Sequence, residues 1–274
     1  MIDGKVVIWD LVDVLFEPNK MSMGIYIVKQ ATGSGFWNML KIATVVPSEA
    51  HMKQMMRDVL EQIKSNETKN RCFQDEEGLC ISPIHCDYLA CKIPSEQLKE
   101  KIQKSVEQLA AEKYFKNDLQ KKLVASTLET VFTPKLYALY MRPIKKGIAL
   151  LKECAEKKNR EGKPANQMMI LSNWDCESFP ILQQEQANQK VFQYFKKENI
   201  FISGQFNSIE ALKPCQWIFN YLIDYKNLKP SDFVLIDNSP ANVASARNSG
   251  MHAILLEKSN YKKVQAELKK LGVL

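Results

Sequence analysis

Four short apolar runs, interleaved with helical periodicity, constrain this chain more than any other feature. They are "QMMILSN" (167–173), "NIFISG" (199–204), "DFVLIDN" (232–238) and "HAILL" (252–256). Each is short enough for a buried strand, and three of them end in polar residues or glycine. Residues 178–197, 214–225, 240–249 and 261–271 lie between and after them and repeat apolar positions at helical spacing. Strands alternating with helices form right-handed βαβ units, and these build a parallel sheet. An earlier run, residues 5–9 of "KVVIWD", has no partner of its own and must join that sheet. The expected fold class is α/β, with a Rossmann-like parallel sheet as its core.

Between the first run and residue 140 the pattern changes. "SEAHMKQMMRDVLEQIKS" (48–65), "PSEQLKEKIQKSVEQLAAEKYF" (94–115) and "KNDLQKKLVASTLETVF" (116–132) each place apolar residues three and four apart. Ser48 and Ser95 are the expected N-caps of the first two. A cysteine-bearing, turn-rich stretch fills 66–93. The expected organisation is a core of residues 1–16 and 141–274, with an α-helical cap, 17–140, inserted after the first strand. "QATGSGFWNML" (30–40) reads as an entry element, with Phe36 and Trp37 at a helix start or in the cap's own core.

Composition excludes several classes. No apolar stretch approaches the ~18 residues of a membrane helix, and the first apolar run is too short for a signal peptide. A cytoplasmic protein is expected, with a secreted effector as the alternative. Seven cysteines without a secretion signal argue for reduced thiols. Cys72, Cys80, His85, Cys86 and Cys91 cluster in sequence, but without the spacing of a zinc site. The net charge of +7 suits an anionic substrate and, more weakly, an anionic membrane surface; no nucleic-acid partner is expected. The densest basic run, residues 145–163, reads as an amphipathic helix with a basic outer face.

In open α/β sheets, ligands bind beyond the carboxyl ends of the strands. That places Asp10, Ser172 and Asp237, each ending an apolar run, around one crevice. Carboxylates at the mouth of a buried strand are costly unless something neutralises or uses them. The ordered set "VVIWDLVDVLF", "MMILSN", "ALKP" and "FVLIDNSPANVASARNSGMHAILL" resembles the haloacid dehalogenase-like hydrolases. The likeness is to the phosphatase type with a helical cap after the first motif. It covers residues 4–16 and 141–272; the cap matches only in position and helicity.

The resemblance implies a Mg²⁺-dependent phosphomonoester hydrolase in which Asp10 is the nucleophile and forms an aspartyl-phosphate. It implies Asp10, the backbone carbonyl of Val12 and Asp237 as metal ligands. Ser172, Asn173 and Lys213 would bind the phosphoryl group, with Ser172 and Lys213 also catalytic. Asn238 and Asn242 would orient the metal ligands or bridge through water. The expected partner is a phosphorylated small molecule or a phosphoprotein.

The sequence departs from the family at Val12, where the usual motif carries a second aspartate that protonates the leaving group. General acid–base help is worth about 10²–10⁴-fold. Some capped relatives also lack that acid. Asp13 stands one position on, with either a catalytic or a turn role. A site without a good acid favours a leaving group that departs readily as an anion, so aryl, phosphotyrosyl or similarly activated phosphates are expected. The alternatives are a protein tyrosine phosphatase acting as a secreted bacterial factor, and a degenerate binding module, to which Val12, Asn238 and Cys215 all point. Metal-free 2-haloacid dehalogenation ranks last, because "DNSPAN" looks built for a metal.

Overall fold

The computed structural model describes residues 4–33, 47–65, 73–74 and 80–274. The chain starts with β1 (Val6–Trp9) and β2 (Phe16–Pro18). It then enters α1 (Lys20–Thr32), α2 (Glu49–Glu61), the two-strand ribbon β3 (Phe73–Gln74) and β4 (Cys80–Ile81), α3 (Pro83–Leu89), α4 (Ser95–Ala111), α5 (Asp118–Val131) and α6 (Pro134–Tyr140). It returns through β5 (Met141–Pro143), which pairs antiparallel with β2. The two crossings of the chain into and out of the helical insertion are thus zipped together.

From there strand and helix alternate: α7 (Lys145–Glu156), β6 (Gln167–Ser172), α8 (Ser178–Gln184), α9 (Gln189–Phe192), β7 (Ile200–Ile202), α10 (Gln216–Lys226), β8 (Phe233–Asp237), α11 (Pro240–Asn248), β9 (His252–Leu255) and α12 (Tyr261–Lys270). The sheet runs β7-β6-β1-β8-β9 with every pairing parallel, so the first strand is central, as the expected α/β class requires. Alternate side chains of β1 serve two cores. Val7 and Trp9 pack with Leu151 of α7, Leu182 of α8 and Val264 of α12, while Val6 and Ile8 pack with Phe219 of α10 and Val243 of α11. Both faces are covered, which is why these strands read as continuous apolar runs. The insertion has its own core of Val59, Leu98, Ile102, Val124, Leu128 and neighbouring residues.

The structure departs from the sequence reading in several places. Ser48 caps α2, accepting from the His51 N–H at 3.3 Å. Ser95, also expected as a cap, is instead the first residue of α4; its N–H and Oγ donate to Glu177 at 2.8 and 2.6 Å. The turn-rich stretch contains α3, and α1 occupies a segment assigned no helix. The continuous helix expected over 178–197 is broken after Gln184. There the Asn188 side chain folds back and donates to the Leu182 carbonyl at 2.9 Å. The basic run 145–163 is helical only to Glu156.

Reduced thiols were expected throughout, yet Cys91 and Cys176 form a disulfide across 85 residues of sequence. Among the described residues, no group of three or more His, Cys, Asp or Glu could hold a metal ion. Cys72, Phe36 and Trp37 lie outside the described residues. No helix among the described residues is long and apolar enough to cross a membrane.

Candidate functional site

Three parallel strands deliver the polar residues that end their apolar runs to one place. Asp10 follows β1, Ser172 closes β6, and Asp237 closes β8. Asp10 is anchored to the neighbouring strand by its N–H, which donates to the Ile236 carbonyl at 3.1 Å. Lys213 arrives from the segment before α10 and inserts its ammonium between two carboxylates. Its Nζ lies 2.9 Å from Asp10 Oδ1 and 2.6 Å from Asp237 Oδ2. All three side chains are almost wholly buried. Burial works against the ammonium, but Asp10 and Asp237 outweigh it and raise the Lys213 pKa. Burial likewise pushes the Asp10 carboxyl up to about 6, with Lys213 opposing and Asp237 adding to the rise.

Neighbouring side chains fix this triad. Asn173 Nδ2 donates to the Lys213 carbonyl and the Lys213 N–H donates back to Asn173 Oδ1, both at 2.8 Å. Asn173 therefore clamps the lysine segment with its whole amide. Asp237 Oδ1 accepts from the Ser239 N–H at 2.9 Å and from Asn242 Nδ2 at 3.0 Å. Ser239 caps α11 in the same turn, so the helix start and the carboxylate hold each other in register.

Beyond the triad opens a cavity of about 360 Å³. Asp10, Val12, Ser172, Asn173, Lys213, Asn238 and Asn242 line its floor, and α2, α3 and the end of α5 roof it. Two expected residues fall elsewhere. Asp237 does not line the cavity; it sits behind Lys213, fully buried and saturated with donors, while Asn238 takes the cavity wall. Asp13 sits in the left-handed region at φ 59°, with its N–H donating to the Phe16 carbonyl at 2.6 Å. It faces a separate surface depression, so its place is in the turn.

Mg²⁺ takes oxygen ligands, retains several waters and needs only one or two carboxylates. Asp10, Val12 and Asn238 all line the cavity, and their groups include a carboxylate, a backbone carbonyl and an amide oxygen. The donor set fits such an ion, with Asn238 in the place expected of Asp237. It is a weakly charged set, since Asp10 is the lone carboxylate among the cavity-lining residues described.

The sequence reading missed the roof residues Lys53, Arg57, Ser82, His85 and Phe132. Helical periodicity marks which face of α2 or α5 is apolar, but not what that face covers. Burial holds the His85 imidazole neutral, lowering its pKa to about 4.

No protein-family model and no curated protein sequence matches the chain. Solved structures do. A HAD family enzyme from Bacteroides thetaiotaomicron, described as a magnesium complex, aligns over 96% of this chain and 98% of its own at 13% identity and TM-score 0.52. A predicted HAD-like family hydrolase from Porphyromonas gingivalis aligns over 97% and 98% at 15% identity and TM-score 0.52. A dehalogenase aligns over 94% and 86% at 10% identity and TM-score 0.50. The chain therefore has the haloacid dehalogenase-like fold.

Proposed function

We propose that the protein is a phosphomonoester hydrolase that works through an aspartyl-phosphate on Asp10. One observation carries this reading: a buried carboxylate at the end of the central strand, held by a buried lysine, with an open cavity before it. An Asp10 oxygen attacks phosphorus, and the bond from phosphorus to the leaving oxygen breaks with its electron pair. Water then attacks the acyl-phosphate, the phosphorus–Asp10 oxygen bond breaks, and inorganic phosphate leaves. Lys213 orients the attacking carboxylate and neutralises charge on the phosphoryl oxygens, and Ser172 donates to one of those oxygens.

A bound Mg²⁺, held by Asp10, Val12 and Asn238, would add charge neutralisation at the phosphoryl group. The Bacteroides enzyme offers a parallel, since a variant of it with one aspartate replaced by alanine is described with magnesium and inorganic phosphate. Among the described residues that line the cavity, Asp10 is the only carboxylate and none replaces the acid missing at Val12, which supports a preference for aryl and phosphotyrosyl esters. Their phenolate oxygen, with a parent pKa of about 10, leaves without a donated proton more readily than an alkoxide.

The test is hydrolysis of p-nitrophenyl phosphate by wild type and Asp10→Asn, with Mg²⁺ and with EDTA. Wild type should turn over with Mg²⁺, and Asp10→Asn should lose at least ~10³-fold. Halide release from 2-chloropropionate, unaffected by EDTA, would transfer the site to dehalogenase chemistry. Activity of neither kind would leave the binding-module reading.

A further inference from the structure

Two polar side chains on the cavity roof take no part in the chemistry at Asp10. Ser82 and His85, the residue before α3 and the third residue within it, both line the cavity. A serine in Ser82's position ordinarily turns its hydroxyl to a backbone N–H two or three residues on. Here the His85 N–H donates instead to the Ser82 carbonyl at 3.0 Å, and the Ser82 Oγ has no hydrogen-bond partner among the described residues. Ser82 is only 5% exposed. A buried hydroxyl left this way is unfavourable unless a ligand or an ordered water supplies the partner. The His85 ring meets Phe132 edge-on, and its nitrogens make no hydrogen bond among the described residues. Burial keeps that ring neutral, so one nitrogen donates and the other accepts. Around the pair the wall is apolar, chiefly Met56, Leu60 and Phe132. The roof cations are already committed, Lys53 at 3.8 Å from Glu49 and Arg57 to a partner within the chain. Two uncharged hydrogen-bonding groups on an apolar wall suit neither a sugar, which needs dense hydrogen bonding, nor an anion, which needs an uncommitted cation.

We propose that Ser82 and His85 select the leaving group of the phosphoester: an uncharged ring bearing one neutral substituent that both donates and accepts, a carboxamide or a hydroxyl. The phosphoryl group lies at Asp10 and Lys213, the ring lies along Phe132 and Met56, and the substituent exchanges hydrogen bonds with the Ser82 hydroxyl and the His85 ring. Each of the two residues can donate or accept, so the pair satisfies both ends of such a group. A charged substituent would lose its water beside apolar side chains and a neutral imidazole, and among the described residues the roof has no uncommitted cation to offset that cost. A cavity of about 360 Å³ has room for a phosphoryl group and one substituted ring. The inference rests on the phosphohydrolase reading for the identity of the group at Asp10.

The probes are 4-carbamoylphenyl phosphate, its apolar counterpart 4-isopropylphenyl phosphate and its charged counterpart 4-carboxyphenyl phosphate. Calorimetry on Asp10→Asn protein reads binding without turnover, so the acidity of the leaving group does not enter. The carboxamide should bind about tenfold tighter than either counterpart, the scale of one or two neutral hydrogen bonds. Adding Ser82→Ala or His85→Phe should draw the carboxamide-to-isopropyl ratio toward one. Ser82→Thr, which keeps the hydroxyl, should retain most of it, and thermal melts confirm that each variant folds. In otherwise wild-type protein, Ser82→Ala should lower kcat/KM several-fold more for the carboxamide than for the isopropyl ester. A carboxamide that binds no tighter than the isopropyl probe overturns the proposal, as does a preference untouched by both substitutions or a carboxylate that binds tightest. A binding preference with no turnover by wild type upholds the roof site and sinks the phosphohydrolase reading, whereas turnover without a preference sinks the roof site alone.

Discussion

His85 stands at the cavity wall with its ring edge-on to Phe132, their centroids 5.2 Å apart. Burial holds its pKa near 4, against about 6.5 in the unfolded chain. Above pH 6.5 both states are neutral there and the residue contributes no pH dependence. Below it the unfolded chain binds a proton that the native imidazole refuses, so stability falls as pH drops from 6.5 toward 4. Between pH 7 and 5 wild type should lose ~1.5 kcal/mol more than His85→Gln, somewhat below the full linkage value because the ring also borders the cavity. Urea titrations of both proteins at the two pH values measure this, and parallel losses would show that another group titrates. The floor of the site was more legible than this roof residue, because Asp10, Ser172 and Asp237 each interrupt an apolar run. What sequence did not resolve was the division of labour between Asp237 and Asn238. Asp237 shares the strand parity of Phe233 and Leu235, which pack on the α10 and α11 side, so it turns to Lys213 and leaves the cavity to its neighbour.

The element that positions Val12 is the loop between β1 and β2. The Leu11 carbonyl accepts from the N–H groups of Leu15 and Phe16, both at 2.8 Å, and Asp13 takes a left-handed conformation to close the turn. Two helices press on this loop from outside. Tyr261 of α12 donates its hydroxyl to the Val14 carbonyl at 2.8 Å, and Gly147 of α7 packs against the same oxygen. A Cβ on Gly147 would lie 2.4 Å from it, a clash with backbone that no rotamer relieves. Alanine ordinarily improves a helix by about 1 kcal/mol over glycine. Gly147→Ala should nonetheless destabilise the protein by at least ~1 kcal/mol and lower activity through Val12. Gly24 in α1 is the control, since a Cβ there meets nothing within 4 Å. Gly24→Ala should stabilise by up to ~1 kcal/mol. Thermal melts and phosphatase rates of the pair decide, and a Gly147→Ala protein as stable as wild type would refute the packing argument. The four later strands were readable because both their faces are buried, so apolar content alone marks them. The break at Asn188 was not, because it depends on one side chain reaching back six residues to Leu182.

At the scale of the molecule, two of the attachments between the insertion and the sheet domain lie at separate places among the described residues. One is the β2–β5 ribbon through which the chain enters and leaves. The other lies around residues 89–95, where the Ser203 hydroxyl donates to the Leu89 carbonyl at 2.8 Å, Ser95 donates to Glu177, and Cys91 is joined to Cys176. Cys176 lies three residues after Asn173, so the covalent tie attaches the roof to the segment that carries Ser172 and Asn173 of the cavity floor. A count of cysteines could not foresee it, because the pairing depends on folding two positions 85 residues apart into contact. A hinge at the ribbon alone would let the roof swing; the second attachment opposes that motion while the disulfide stands. A small dithiol reductant converts the pair to two thiols and is itself oxidised to a cyclic disulfide, leaving hydrogen bonds and the apolar packing of Phe73, Cys86 and Leu89 on Leu212. Restricting a loop of this length in the unfolded chain contributes ~2–4 kcal/mol. Reduction, or the double substitution Cys91→Ser and Cys176→Ser, should lower stability by that amount. Amide exchange in α3 and the start of α4 should rise well before exchange in the central strands. Equal exchange in those helices before and after reduction would mean that the noncovalent contacts hold the roof down, and the disulfide would then have no part in closing the cavity.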